Sequence, residues 1–423
     1  MNSAYVIRGG RPLHGTLRVH GAKNSALPIL AASILGRGTK EIKNCPNLSD
    51  VDATLRILRE LGCTAERDGS VVRVNPDSMN RCDIPDSQMR EMRSSVSFLG
   101  AILARTGEVR ISLPGGCELG SRPIDLHLSA LRSMGAEVIA EPGGHLLCRA
   151  SNLTGCELNL AFPSVGATEN IMLAATAAEG ITRITNAARE PEIEDLQAFM
   201  QACGANVSGA GTSTVTIEGG WPLSEASHTV IPDRIAAATY LSAAAITGGM
   251  ITLESVCPTH LSTVTAVLAE SGCDLQIGSD TISLACLRPI KAMRPIRTMP
   301  YPGFPTDAQS PIMALASCAE GTTIFRENIF ENRYQHVGEL ARMGADIKVD
   351  GRVAVVCGVP HLSGARVSAT DLRGGAALVV AALGAKGESH ITGLRHIGRG
   401  YENFEQNLSV LGADIGRIET YVG

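Results

Sequence analysis

The stretch from residue 333 to 357, RYQHVGELARMGADIKVDGRVAVVC, holds the fold in miniature. Apolar residues recur at helical spacing up to Met343, glycine follows at 344, and ADIKVD and RVAVVC then alternate apolar and polar residues on either side of Gly351. Glycine enters the left-handed conformation that stops a helix without a Cβ clash, so these signals predict a helix, a glycine stop and a two-stranded hairpin. The same signature stands in LGCTAE, MGAEVI, CGANVS, SGCDLQ and LGADIG, with the glycine at 62, 135, 204, 272 and 412. Successive glycines are 73, 69, 68, 72 and 68 residues apart, so one unit occurs six times.

Working outward from each glycine completes the unit. Upstream lies an Ala-rich helical segment: KNSALPILAASIL, RSSVSFLGAILA, VGATENIMLAATAA, DRIAAATYLSAAAI, TDAQSPIMALASCA and DLRGGAALVVAAL. Between the two helices of each copy runs a strand with a connector, such as EIKNCPNLSD, TRITNAAREPEI or IFRENIFENR. The hairpin follows the glycine in the first five copies and is cut short by the C-terminus in the sixth. A helix-strand-helix-hairpin unit cannot bury its apolar faces alone, so copies must pack together, three and three. The class is α/β, with HTVIPDRI at residues 228–235 as the boundary between halves. The alternating segments YVIRGG and LRVHG near the N-terminus can pair with either half.

Composition agrees with a layered interior. Hydrophobic residues make up 44% of the 423 and aromatics only 3%, so the core is built from Ala, Val, Ile and Leu. A net charge of −5 without basic blocks excludes nucleic-acid or membrane-surface binding driven by bulk electrostatics. The N-terminus lacks the apolar run of a signal peptide and no segment is a membrane span, which points to the cytoplasm. The twelve cysteines are too dilute for a disulfide scaffold and form no CxxC, so structural zinc is not expected. Cys148 in HLLCRA and Cys286 in TISLAC read as buried fillers. Cys117 differs, because LPGGCELGSR at 113–122 sets it behind a proline and two glycines with an arginine beyond. Read alone, that stretch fits an inert surface turn as well as a reactive loop.

Polar groups gather where the inner helices begin: Lys23 and Asn24, Arg93, Ser164, Asp233 and Arg234, Thr306 and Asp307, Asp371 and Arg373. Ser164, Asp233 and Asp371 are ordinary N-cap residues. Lys23, Arg93 and Arg373 oppose the helix dipole and call for another reason, which an anionic ligand at the helix starts supplies.

These positions fall in a set of motifs covering nearly the whole chain: GAKNSALPIL at 21–30, MRSS at 92–95, LPGGCELGSRPIDLH at 113–127, PSVGAT at 163–168, AAREPEI at 187–193, PDRI at 232–235, FPTDAQ at 304–309, IFENR at 329–333, TDLR at 370–373 and GRGYE at 398–402. With them the chain resembles the enolpyruvyl transferase family, in its branch that acts on UDP-N-acetylglucosamine. The resemblance implies a two-domain inside-out α/β barrel with three repeats per domain. Residues 23–231 would form one domain and residues 1–22 with 232–423 the other, with the active site in the cleft between them. It implies transfer of the enolpyruvyl group of phosphoenolpyruvate to the 3′-hydroxyl of UDP-N-acetylglucosamine with release of phosphate, the first committed step of peptidoglycan precursor synthesis. The scheme is addition and elimination without a cofactor or metal.

Carried onto this sequence, the resemblance makes Cys117 the proton donor and covalent thiol and Asp307 the base. Lys23, Asn24, Arg122 and Arg399 would hold phosphoenolpyruvate, with Lys23 and Arg399 acting in catalysis. Asn24, Arg93, Arg122, Pro123, Ile124, Asp125, Leu126, Ser164, Val165, Gly166, Asp307 and Ile329 fall on the UDP-sugar contacts. Glu190, Asp233, Arg234, Arg333, Asp371 and Arg373 match further charged positions, for which structural ion pairing is an equal expectation. Pro163 and Gly398 depart from the family pattern, where some members carry a lysine and many an acidic residue. The partners implied are the two small substrates; no protein partner, nucleic acid or membrane is implied. Two other activities stay open: the sister transferase acting on shikimate 3-phosphate, and a non-catalytic UDP-sugar-binding paralogue.

Overall fold

The computed structural model describes residues 2–86, 96–112, 124–286 and 289–420. They divide into two compact units: residues 21–231 make the first, and residues up to 20 with those from 232 onward make the second. Each unit contains three of the repeats.

The Ala-rich segments form the inner helices. In the first unit these are α1 (Lys23–Ala32), α2 (Phe98–Thr106) and α3 (Val165–Ala175). In the second they are α4 (Arg234–Thr247), α5 (Thr306–Ala316) and α6 (Leu372–Gly384). Every residue of α4 is buried, and so is all of α6 except its two end residues. A helix enclosed on all sides needs small apolar residues all round rather than one apolar stripe, which is what these sequences supply. Close approach follows from the same choice. An ideal Cβ on Gly100 of α2 would lie 2.2 Å from the Asn170 carbonyl oxygen of α3, and one on Gly384 of α6 would lie 2.7 Å from Ile246 of α4.

The second helix of each repeat lies outside and is amphipathic. In Ser49–Glu60, Val51, Leu55 and Leu58 are buried, whereas Arg56, Arg59 and Glu60 are exposed. The glycine at its end is left-handed in every copy, with φ of 94°, 96°, 104°, 95°, 92° and 91° at Gly62, Gly135, Gly204, Gly272, Gly344 and Gly412. An added Cβ at Gly344 or Gly412 would touch nothing within 4 Å, so the backbone angle, and not space, selects glycine there.

Among the described residues the strands form six small sheets, one per repeat. Their residues alternate between buried and exposed, as in Thr322–Arg326, so one face packs on helices and the other meets solvent. In repeat five the order is Asp346–Asp350, Val353–Cys357, Thr322–Arg326 and Ile296–Arg297: the hairpin, the connector strand antiparallel to it, and a parallel fourth strand.

The same plan assigns the N-terminal segments and corrects the expectation of a truncated sixth repeat. Strand Asn2–Arg8 lies between Asp414–Thr420 and Glu388–Thr392, antiparallel to both, and so supplies the missing hairpin strand. Strand His14–Arg18 runs parallel to Met250–Glu254 as the fourth strand of repeat four. In the first unit, Ala226–Thr229 plays the same part beside Lys40–Lys43. Sheets that lack a strand in their own repeat are thus completed by the chain's N-terminus and by the stretch after repeat three, which leaves fewer bare edges.

Candidate active site

In the second unit the helix starts converge on Asp307, the second residue of α5. Its Oδ1 accepts a hydrogen bond from Arg333 Nη2 at 2.8 Å, and its Oδ2 accepts one from Arg373 Nη2 at 3.0 Å. Both guanidinium groups are buried, whereas a quarter of the Asp307 side chain remains exposed. Burial alone would push the Asp307 carboxyl up, but the charges and hydrogen bonds of Arg373 and Arg333 outweigh it and hold the carboxyl well below the usual carboxylate range.

Each partner is itself positioned. Arg333 donates from Nε and Nη2 to the Thr306 carbonyl at 3.2 and 2.9 Å, and its guanidinium lies 5.5 Å from the Phe330 ring centre. Arg373 sits 5.4 Å from the centre of the Tyr401 ring and also donates a hydrogen bond to the Tyr401 hydroxyl, so Tyr401 helps to hold the guanidinium against Asp307. Asp371 caps α6, accepting from the backbone N–H of Arg373 at 3.0 Å and of Gly374 at 2.9 Å. Asp233 caps α4 through the N–H groups of Ile235 and Ala236, both at 2.8 Å. The ordinary capping role therefore accounts for both aspartates, while Arg234 stacks 5.6 Å from the Tyr301 ring centre. Ile329 and Arg399 are half-buried. Gly398 has helical backbone angles, and an added Cβ would meet only Leu394 O at 3.7 Å, so the backbone admits an acidic residue there.

Sequence reading missed two supports of this cluster. Glu327 is buried, accepts from Thr306 Oγ1 at 3.0 Å, and accepts from the N–H groups of Ile329 and Phe330 at 2.8 and 3.0 Å. It ties the start of α5 to the loop carrying Ile329; its place at the end of strand Thr322–Arg326 was the available signal. His336, buried near Asp371 and Arg333, has its pKa pushed down to about 4, chiefly by burial, and is a neutral imidazole at physiological pH.

In the first unit Lys23 begins α1, buried, with Nζ 2.7 Å from Asp50 Oδ2. Asp50, the second residue of helix Ser49–Glu60, is the counter-ion the sequence reading did not assign. Next to Lys23, Ser25 Oγ donates to Asp195, whose carboxylate also bonds His228 Nε2 at 2.8 Å and accepts from Ile231 N–H at 3.2 Å. Asn24 is half-buried at the same helix start.

Ser164 caps α3, accepting from Ala167 N–H at 3.3 Å, with Val165 and Gly166 following. The structure brings Ile124, Asp125 and Leu126, at the start of helix Asp125–Ser133, close to this cap through His127. An ideal Cβ on Gly166 would lie 3.2 Å from His127 Cε1. Asn170 Nδ2 donates to His127 Nδ1 at 3.1 Å, so the ring proton resides on Nε2, and Asn170 Oδ1 accepts from Gly100 N–H at 2.7 Å. Burial pushes the His127 pKa down to about 4 against the opposing charge of Asp125, keeping the ring neutral. Glu190 stands just before helix Pro191–Ala202; burial first, then Glu192 and Glu190, raises the carboxyl of buried Glu169 well above the usual range. Cys117, Arg93, Arg122 and Pro123 lie outside the described residues.

Residues 7–408 match the family model described as EPSP synthase (3-phosphoshikimate 1-carboxyvinyltransferase). UDP-N-acetylglucosamine 1-carboxyvinyltransferase 2 of Caldanaerobacter subterraneus is 52% identical over 98% of this chain and 99% of its own. UDP-N-acetylglucosamine 1-carboxyvinyltransferase 1 of Symbiobacterium thermophilum is 49% identical over 99% of this chain and 96% of its own. The enolpyruvyl transferase NikO of Streptomyces tendae superposes with a TM-score of 0.89 at 26% identity, covering 98% of this chain and 99% of its own. EPSP synthase of Acinetobacter baumannii, at 21% identity and a TM-score of 0.74 over 99% of this chain and 100% of its own, shares the fold. The chain belongs to the enolpyruvyl transferase family of EPSP synthase.

Proposed function

We infer that this chain transfers the enolpyruvyl group of phosphoenolpyruvate to the 3′-hydroxyl of UDP-N-acetylglucosamine and releases phosphate, opening peptidoglycan precursor synthesis. The observation that carries this is identity of 46–52% over nearly the full length to enzymes bearing the UDP-N-acetylglucosamine name. Likeness to EPSP synthase at 21% supports the fold and leaves the acceptor open.

The Asp307 environment constrains the order of steps. A carboxylate held below its usual range by Arg333 and Arg373 is ionised throughout the physiological range but is a weak base. It cannot draw the proton from a neutral hydroxyl first. Proton delivery to the methylene carbon of phosphoenolpyruvate, assigned to Cys117, therefore leads and leaves a cationic centre at the neighbouring carbon. As the sugar oxygen adds to that centre, its own proton becomes acidic enough for Asp307 to take. Return of a methyl proton to the Cys117 thiolate, with departure of phosphate carrying the proton held by Asp307, then restores the double bond and both groups.

Lys23, paired with Asp50, and Arg122 and Arg399 would hold the phosphate and carboxylate of phosphoenolpyruvate. Asn24, Arg93, the run 122–126, Ser164–Gly166 and Ile329 would carry the sugar nucleotide. The chain would act in the cytoplasm, consistent with no helix of the described residues being long and apolar enough to cross a membrane.

Phosphate release with both substrates tests this directly. Turnover with UDP-N-acetylglucosamine that vanishes in Cys117→Ala is expected. Turnover with shikimate 3-phosphate instead would reassign the acceptor, and calorimetric binding of the sugar nucleotide without turnover would identify a non-catalytic binder.

A further inference from the structure

Cys273 and Cys286 stand directly opposite each other in the antiparallel hairpin of repeat four, between strands Cys273–Ile277 and Thr281–Cys286. Opposed residues in such a ladder present their side chains on one face with Cα atoms about 4.5 or 5.5 Å apart. Both spacings fall within the range a disulfide spans. We propose that these two cysteines form a redox-active dithiol that peroxide converts into a cross-strand disulfide within the folded chain.

Three further observations support it. The thiols already share a hydrogen bond, which outweighs burial and holds Cys273 below its ordinary pKa. Other buried cysteines, Cys63, Cys148 and Cys203, are pushed up to about 11 by burial. Ser271 Oγ lies 3.6 Å from Cys273 Sγ and donates to the Leu268 carbonyl at 2.7 Å, so the neighbouring polar group is fixed. Nor does the fold demand a thiol at this place: the residue after the repeat glycine is alanine in four other copies, at Ala136, Ala205, Ala345 and Ala413.

The chemistry balances with hydrogen peroxide as oxidant. The Cys273 thiolate attacks one peroxide oxygen; an S–O bond forms, the O–O bond breaks, and hydroxide leaves. That hydroxide takes the Cys286 proton as water. The Cys286 sulfur then attacks the Cys273 sulfenic acid and expels a second hydroxide, which collects the proton lost when Cys273 ionised. Two thiols and one peroxide become one disulfide and two waters, with sulfur oxidised and peroxide reduced. A small oxidant suits cysteines that are each only 5% exposed. The bond would pin the residue after Gly272 to the end of the strand where Cys286 N–H donates to Gly249 O, closing the hairpin. None of this depends on the acceptor assigned above.

The test treats the full folded chain with hydrogen peroxide, quenches with catalase, denatures and alkylates it without reduction, and maps the peptides by mass spectrometry. The expected product joins Cys273 to Cys286 and is lighter by two hydrogens. In Cys286→Ser, Cys273 should instead be trapped as sulfenic acid by dimedone. Should that variant not fold, Cys273→Ala, which copies the other repeats, must abolish the link. Recovery of both cysteines as alkylated thiols, in a sample whose circular dichroism is unchanged and whose half-buried Cys257 and Cys357 are oxidised, overturns the proposal. Linkage of either to a different cysteine does so too.

Discussion

Replacing Arg373 by methionine would keep the buried volume nearly constant and remove one of the two charges that hold Asp307 ionised. The guanidinium nitrogen lies 3.0 Å from Asp307 Oδ2, and Arg333 remains at 2.8 Å from Oδ1. With charge centres about 4 Å apart and an effective dielectric of about 20, the lost attraction is about 4 kcal/mol. That is up to about a thousandfold in the proton affinity of the carboxylate, because each 1.36 kcal/mol is tenfold. Burial, which opposes ionisation, would then face only Arg333. The assay is kcat/KM for phosphate release as a function of pH. The native chain should show no acid limb from Asp307 in the ordinary carboxylate range, whereas Arg373→Met should gain one at clearly higher pH, and Asp307→Asn with Arg373→Met should lose it again. Stability has the matching sign. A depressed folded pKa stabilises the fold above the unfolded value of about 3.9, and that contribution is lost as pH falls towards the folded value. Urea midpoints should therefore fall less steeply with acid in Arg373→Met. Native and variant rate profiles that superimpose after scaling would refute the claim that Arg373 sets the basicity of Asp307.

Glu169 works in the opposite sense, since its folded pKa is raised: its contribution is complete below the unfolded value of about 4.3 and is lost as pH rises towards the folded one. Glu169→Gln should thus leave the urea midpoint unchanged near pH 4 and raise it near pH 8; equal effects at both would contradict the assignment. Gly344→Ala faces only the left-handed backbone penalty of about 1–2 kcal/mol, whereas Gly100→Ala also places a Cβ 2.2 Å from a helix carbonyl, so thermal unfolding should rank Gly100→Ala as clearly the worse. Asp195→Ala removes the acceptor shared by Ser25, His228 and Ile231, leaving buried donors unsatisfied, and should cost at least about 1–3 kcal/mol in denaturant unfolding; a loss within about 0.5 kcal/mol would make the network incidental. Cys117→Asp keeps a proton donor, so it should turn over yet resist inactivation by an epoxide such as fosfomycin.

The repeats were legible because a single residue type answers a single backbone demand. A helix that must stop in the left-handed region selects glycine, and at Gly344 and Gly412 nothing but that angle requires it. A second left-handed position recurs one residue after the connector strand, at Asn44, Asn186, Ser255 and Gly393. It escaped notice because asparagine, serine and glycine each fill it, so no letter repeats. Pro28 and Pro311 lie inside α1 and α5, and both helices continue to Ala32 and Ala316, as the Ala-rich segments predicted, because packing on every side outweighs one lost hydrogen bond. The N-terminal strands could not be placed by periodicity, since YVIRGG alternates well enough to pair with any free edge. The bare edge left by the sixth hairpin, from Asp414 to Thr420 at the far end of the chain, decides where it goes.

The site shows the same division between what a local pattern fixes and what packing adds. Asp307 was legible as a carboxylate at a helix start, and Arg373 and Lys23 as cations placed against the helix dipole. The basicity of Asp307 was not legible, because it depends on Arg333 and Arg373, 26 and 66 residues further on, meeting at one carboxylate. They meet because each repeat ends its connector and begins its inner helix at the same place in the unit. When the starts of α5 and α6 come side by side, charges that read as separate helix-start groups become one coupled group. In such a repeat protein the chemical identity of a side chain is written locally, while its proton affinity belongs to the neighbouring copy. A substitution that leaves Asp307 untouched but shifts the start of α6 should therefore alter the reaction's pH dependence as surely as one at Asp307 itself.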